Sequence, residues 1–449
     1  MHFNRLIILL FVNVLLSQAY YESAIGVDYS SYSARSLSLA SSSQISEVDA
    51  YCLLFNPSNI THNNGFSLSI SNLIDSRFER RGLVVKDSFG DFLAESDYVK
   101  NSSMSNKTSF GIKYSKDITN RLRFGAAFSF SPYKSYDFMY EEEVRGQLQS
   151  NDGQIFSRDP LLGYHILESN GTQNLMNIGS AATWKIDNNF YTSFGFSYNI
   201  VMGADVNERA YVDTLSLIGL MLVEDSNELS DLEAYDINYK LNELTFLSYG
   251  MNVKYEDYLF SFSYQGKGSI SKVFKSSNND YLNLFNSVDS LYGANELGLN
   301  LLSDYFGLKN NDIEKPTKIN IGFSTINNQK NSFGLIFNYE INNYTEESSL
   351  KDNQRFSLGV EHYTINQIPI RFGLEYRTSE FSALSSATSF SAGSGFKLYG
   401  FSFDYGIKYK HAKYSFPDIF PVEGEFRPDL DIINDSNIIF LGTLTYVFK

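Results

Sequence analysis

Cysteine and proline are both scarce here: the 449 residues include 1 Cys and 8 Pro. The lone Cys52 excludes an intramolecular disulfide and reads as a small buried apolar residue. No Pro- or Gly-rich linker divides the chain, so the length that would suit two or three soluble domains is better read as one body. Positive charge is also in deficit, with 36 Lys and Arg against 51 Asp and Glu and a net charge of −15. That balance excludes nucleic acid as a partner, because phosphate binding needs a basic surface. Beyond Ala19 no apolar run is long enough for a membrane helix. His62, His165, His362 and His411 are scattered, with none in a metal-ligand spacing. No Gly-x-Ser-x-Gly elbow and no calcium-loop carboxylate pattern is present. The expectation is a non-enzyme with no catalytic residues, no metal and no cofactor.

What the chain does have is aromatics, 16% of it, nearly all Tyr and Phe beside the single Trp184. They fall on one face of alternating strands, clearest between Pro316 and His411. In Phe401–Lys410, Phe401, Phe403, Tyr405, Ile407 and Tyr409 share a face, while Ser402, Asp404, Gly406, Lys408 and Lys410 share the other. A heavily aromatic face opposite one bearing both charge signs fits a membrane barrel, with lipid outside and a polar lumen inside. Inward Glu340, Glu361, Glu375 and Asp404 are expected to pair with Arg371, Arg377, Lys408 and Lys410, since an unpaired buried charge is costly.

Met1–Ala19 carries Arg5, an apolar run and Ser17-Gln18-Ala19, the pattern of a cleaved signal peptide. An exported chain of alternating strands without a helical span points to a bacterial outer membrane. The strands are expected as Phe66–Leu73, then hairpins Thr108–Lys116/Leu122–Pro132, Gln173–Ile186/Phe190–Met202 and Leu241–Tyr255/Tyr258–Ile270. Later turns fall at Asn327–Lys330, Asn366-Gln367 and Gly400, and Asn437–Phe448 closes an all-β antiparallel barrel of about fourteen strands. Short turns alternate with long connections at 74–107, 133–172, 203–240, 271–315 and 414–436, as periplasmic turns alternate with extracellular loops. Residues 20–64 do not read as wall; a compact segment ahead of the first strand is a candidate plug, and 65–449 the barrel.

Ala34-Arg35-Ser36-Leu37-Ser38-Leu39-Ala40, then Asp49-Ala50, then Phe55-Asn56-Pro57-Ser58 resemble the N-terminal hatch of the long-chain fatty acid transporter (FadL) family and its barrel relatives. The family's paired glycines are replaced by Ala40-Ser41, and its motif alanine by Ser58. Gly359–Tyr363 and Pro369–Gly373 resemble its later strands. The resemblance implies fourteen strands, a hatch involving Arg35, Leu37, Leu39, Asn56 and Pro57, and passive uptake of hydrophobic molecules such as long-chain fatty acids or hydrocarbons. It also implies sideways exit beside a kinked early strand, for which Gly125 and Pro132 make Leu122–Pro132 the candidate. Relatives with the same hatch scaffold protein secretion, so a barrel that binds a secreted or surface-attached protein stays open as the alternative.

The outer loops hold apolar residues that a loop in water does not need. Tyr281, Leu284, Phe285, Val288, Leu291 and Tyr292 recur at helical spacing. A second run, Leu297, Leu301, Leu302, Tyr305 and Phe306, follows Asn295 as N-cap and is expected to stop at Gly307. Leu215, Leu217, Ile218, Leu220, Met221 and Leu222 add a third cluster, so 203–240 and 271–315 are expected to be partly helical and to form a groove for a hydrophobic small molecule or lipid. The acidic residues Glu224–Asp236 suit a solvated face or cation-bridged lipopolysaccharide. A monomer is expected.

Overall fold

The computed structural model describes residues 20–42, 47–145, 161–187, 189–214, 235–276, 301, 304–305, 307–325, 332–382, 384–420 and 430–448. Met1–Ala19 lie outside them. The strands run β1 (Val27–Asp28), β2 (Gly65–Lys86), β3 (Phe92–Asp117), β4 (Leu122–Ser135), β5 (Phe138–Arg145), β6 (Leu161–Asn170), β7 (Thr172–Lys185) and β8 (Phe190–Val201). They continue as β9 (Ala204–Thr214), β10 (Tyr235–Leu241), β11 (Leu244–Tyr255), β12 (Tyr258–Gln265), β13 (Gly268–Ile270), β14 (Lys272–Ser276) and β15 (Ile313–Lys315). The last seven are β16 (Thr317–Thr325), β17 (Ser332–Asn343), β18 (Asn353–Tyr363), β19 (Pro369–Arg377), β20 (Ala387–Leu398), β21 (Phe401–Phe416) and β22 (Asp431–Phe448).

Fourteen of them, β2–β4, β7, β8, β11, β12 and β16–β22, pair antiparallel into a closed barrel, with β4–β7 completing the ring. Closure pairs both edges of the wall strands along most of their length, as lipid demands, with one open stretch between β3 and β4. In β12, Tyr258, Phe260, Phe262 and Tyr264 are exposed while Leu259, Ser261, Ser263 and Gln265 are buried, the alternation that the period of two demands. The same phase holds in β21, where Tyr405, Ile407 and Tyr409 face out and Gly406 and Lys408 face in. The first and last wall strands meet at Phe66 and Phe448, so the chain ends on the side of the short turns.

The strands are longer than their apolar alternation. β2 and β3 have 22 and 26 residues and pair from Gly65↔Ser115 to Lys86↔Phe92, across a stretch expected as a polar loop at 74–107. The closing strand begins at Asp431, not Asn437. The described ends of 133–172, 203–240 and 271–315 are strands as well. These corrections share one cause: once a strand leaves the lipid, its outer face turns polar and the signal vanishes while the backbone ladder continues.

Above the wall, β14-β10-β9-β6-β5 form a second, five-stranded sheet in the order of the wall strands β12, β11, β8, β7 and β4 beneath them. The ladder is interrupted at Tyr136-Asp137, Gly171, Met202-Gly203 and Asn242-Glu243 before it resumes. One face of this outer sheet, with Tyr136, Phe138, Tyr140, Val206, Ala210 and Tyr239, is buried in the same apolar cluster as Tyr305, Leu308, Phe416, Ile419 and Phe420.

Candidate functional site

The site is the lumen and the N-terminal segment within it. Asn56 is the anchor. Its Nδ2 donates to Asn252 Oδ1 at 2.8 Å and Ser261 Oγ at 2.6 Å, and its Oδ1 accepts from Ser58 N at 3.2 Å and Ser58 Oγ at 2.6 Å. It caps a 3-10 turn, Pro57–Thr61, in which Pro57 takes the first position, where no N–H is needed. Ser58, a departure from the hatch pattern, thus adds a hydroxyl bond to the anchor. Wall glycines make room: a Cβ at Gly195 would collide with the Pro57 carbonyl carbon, and one at Gly250 with Asn56 Oδ1. Cys52 is buried with Ala50, Leu53, Ile60, Ala127 and Ala181.

A short helix, α1 (Tyr20–Ser23), opens the segment, and α2 (Ala34–Ser38) follows β1. Ser33 caps α2 by accepting from Ser36 N at 3.2 Å, and Ala34 N donates to Thr443 Oγ1 at 2.8 Å. Leu37 and Leu39 are buried, Leu39 beside Ile336. Ala40 and Ser41 end the helix at φ 53 and 63, the left-handed region that favours glycine. Ala40 and Ser41 therefore hold a glycine-type backbone.

Arg35 grips Glu361 with two nitrogens, at 3.2 and 3.0 Å. Glu361 also accepts from Arg371, 2.7 Å away, which reaches Asp404 at 2.6 Å. Glu340 pairs with Arg355 at 2.5 Å and Glu375 with Lys408 at 2.7 Å. Two expected wall-to-wall partners pair elsewhere: Arg377 holds Glu380, and Lys410 holds Glu22 of α1 at 3.2 Å. Glu22 and Asp28 were not picked out from the sequence. Glu22 joins Lys410 to Arg77, and Asp28 joins Lys134 to Lys318, so wall cations hold the N-terminal segment from two sides. Their signal was present only as two acids in an otherwise Ser-rich stretch.

The wall ladder opens between β3 and β4. The two strands pair from Phe110↔Phe130 down to Asp117↔Arg123, while β3 stays on β2 and β4 stays on β7 to Ser135. β4 is bulged against β7 between Pro132 and Lys134, and Pro132 has no N–H to give. Pro132 thus lies at the split. Gly125 lies in the continuous ladder, where a Cβ would meet Ile60 Cγ2 at 2.8 Å. At the edge of β4 that β3 leaves free, β1 pairs with β4 through Val27↔Ser135 and Asp28↔Lys134.

Of the outer-groove candidates, Leu301 and Tyr305 are described and buried. Tyr305 meets Phe416 edge-on with centroids 5.9 Å apart. The helical run continues over 307–310 with Asn311 N bonded to Gly307 O, so Gly307 does not end it as expected. Leu217, Ile218, Met221, Leu284, Phe285, Val288, Leu291, Leu302 and Phe306 lie outside the described residues, as does Asn295. A recess of about 630 Å³ at the mouth is lined by Ile25, Leu308, Asp312 and Leu350 among others. Burial drives the pKa of Lys272 in β14 down to about 7, although its ammonium donates to the carbonyls of Ala24, Leu308 and Lys309. Burial likewise lowers His165 in β6 to about 4.

No protein-family model matches the sequence. A search of curated proteins finds no match either. Solved structures do match. The crystal structure of a Pseudomonas aeruginosa FadL homologue superposes with a TM-score of 0.51 at 12% identity, over 94% of this chain and 100% of that one. The P. putida toluene transporter TodX gives 0.51 at 11% identity, over 94% and 99%. At these identities the likeness establishes the fold.

Proposed function

We propose that this chain is an outer-membrane channel for passive uptake of small hydrophobic molecules, long-chain fatty acids or hydrocarbons, which leave the lumen sideways into the membrane. The observation that carries this reading is the split between β3 and β4, where Val27–Asp28 pairs with the edge of β4 that β3 leaves free. A wall needs closed backbone pairing where lipid meets it, so an open ladder edged by a separate segment suits a door. The ligand is gathered at the mouth, by the groove around Leu301 and Tyr305, and moves inward once the N-terminal segment shifts. Such uptake needs only differential affinity and a moving gate. Shared folds with proteins described as a FadL homologue and a toluene transporter support the same reading.

Val27→Cys with Ser135→Cys tests it. These are directly opposed antiparallel partners, within the Cα range of a disulfide. Oxidation should abolish uptake of labelled dodecanoate by cells that depend on this protein, and reduction should restore it. Undiminished uptake by the cross-linked form would eliminate the sideways route. A second reading, a scaffold for a secreted or surface-attached protein, draws on the tip of β2 and β3, where Phe89, Phe92 and Leu93 are exposed. Native mass spectrometry separates the two: a co-purifying lipid supports the channel, a stoichiometric protein the scaffold.

A further inference from the structure

The wall carries a polar patch where lipid should meet apolar side chains. Asn72 faces outward on β2 between Ile70 and Ile74. Its partner on β22 is Gly442, which lies between the exposed Phe440 and Leu444. On β3, Thr108 is directly opposite Asn72, and Asn106 is the next outward position along the strand. All three polar residues are exposed. They hold one another: Asn72 Nδ2 donates to Asn106 Oδ1 at 2.7 Å and to Thr108 Oγ1 at 3.2 Å. That leaves Asn72 Oδ1 open as an acceptor, and Asn106 Nδ2 and the Thr108 hydroxyl open as donors, among the described residues. Hydrocarbon offers them no partner, and polar groups left open against lipid are costly and mark a function.

The patch borders the open stretch of the wall. The last pair between β3 and β4 is Phe110↔Phe130, so Ser109 and Ser131 are the first positions beyond it, and both are buried. Continued one step further, the ladder would set Thr108 against Pro132, which has no N–H to offer. Between Asn106 and Thr108, Lys107 turns inward, and its ammonium crosses to Asp137 Oδ2 and Thr172 Oγ1, each 2.7 Å away. The two faces of β3 are thus both polar where its ladder to β4 ends. A bare hydrocarbon leaving sideways gains nothing from such a border. An amphiphile does, because its head meets hydrogen-bonding groups on the lumenal side and again on the lipid face while its tail enters the membrane.

We propose that Asn72, Asn106 and Thr108 form a landing site on the lipid face for the hydrogen-bonding head of a single-chain amphiphile that leaves through the split. Resident membrane lipid offers the same chemistry, so the test separates the two sources. The inference rests on the uptake reading for the sideways route, and it goes further in favouring amphiphiles over bare hydrocarbons.

Asn72→Leu, Asn106→Leu and Thr108→Val together remove the landing and suit a lipid-facing surface, so the barrel should keep its heat-modifiable mobility in gels. Cells that depend on the triple variant should take up labelled dodecanoate at least fivefold more slowly, with uptake of labelled toluene changed less than twofold. Dodecanol carrying a diazirine beside its hydroxyl, added to the full-length protein in phosphatidylcholine vesicles, should photolabel the β2 and β3 peptides that contain these residues. Excess dodecanoate should suppress that label, and the triple variant should lose it. Unchanged dodecanoate uptake in the variant, an equal fall for toluene, or a label that excess dodecanoate leaves in place overturns the proposal. A phosphatidylethanolamine with the diazirine in its head group that labels the same peptides and resists excess dodecanoate assigns the patch to resident lipid, which also overturns it. Suppressible label without uptake by the unaltered protein sinks only the channel, whereas uptake that the variant leaves unchanged sinks only the landing site.

Discussion

At the scale of the residue, the N-terminal segment holds backbone that its own side chains disfavour. Ala40 and Ser41 occupy left-handed backbone that a Cβ disfavours by about 1–2 kcal/mol per residue. Ala40→Gly should therefore stabilise the docked segment by about 1 kcal/mol, read as slower protease cleavage near residue 42; faster cleavage would mean that the lost methyl contacts outweigh the relieved strain. The wall offers a sharper contrast. Tyr405 faces outward at 40% exposure, and Ser402 lies on the other face. Tyr405→Arg should cost about 2–4 kcal/mol if the residue sits near mid-bilayer, and Ser402→Arg much less. Folding efficiency into lipid vesicles compares them, and an equal loss would contradict the assignment of faces. Those faces were readable because lipid demands a period of two. Glu22 and Asp28 were not readable, because their meaning depends on wall residues far away in sequence.

At the scale of the element, the alternation identified strands only where lipid wrote the pattern, so the outer sheet went unread. His165 gives that sheet a pH dependence. Its ring lies tilted against that of Phe420 with centroids 4.9 Å apart, and its buried Nε2 finds no partner among the described residues. Burial lowers its pKa from 6.5 to about 4, so the docked sheet holds the neutral ring. Between those values the undocked form binds more protons. Docking is therefore at full strength above pH 6.5, weakens as pH falls, and below pH 4 has lost about 3 kcal/mol. Hydrogen exchange of the β6 amides, corrected for intrinsic rates, should accelerate from pH 7 to pH 4.5. His165→Phe should remove that acceleration. An acceleration of the same size in the variant would place the sensitivity elsewhere.

At the scale of the molecule, the question is what fills a fourteen-stranded barrel. Eight strands already suffice for a core packed by wall side chains, so fourteen leave a lumen that needs something more. The N-terminal segment supplies mass there and, through Asn56, Arg35, Glu22 and Asp28, anchors on widely separated strands: β11 and β12, β18, β2 with β21, and β4 with β16. Deleting residues 24–60 behind the first 23 residues should leave a folded barrel, since the described ring is closed by wall strands alone. Single-channel conductance in planar bilayers should then rise severalfold above that of the full chain. Arg35→Ala removes one anchor, leaves Glu361 to Arg371, and should give brief, intermittent openings. A deleted form that folds but conducts no better than the full chain would show that the segment does not stopper the lumen. The outer sheet, buried against Phe416–Phe420, would then be the element that closes the mouth.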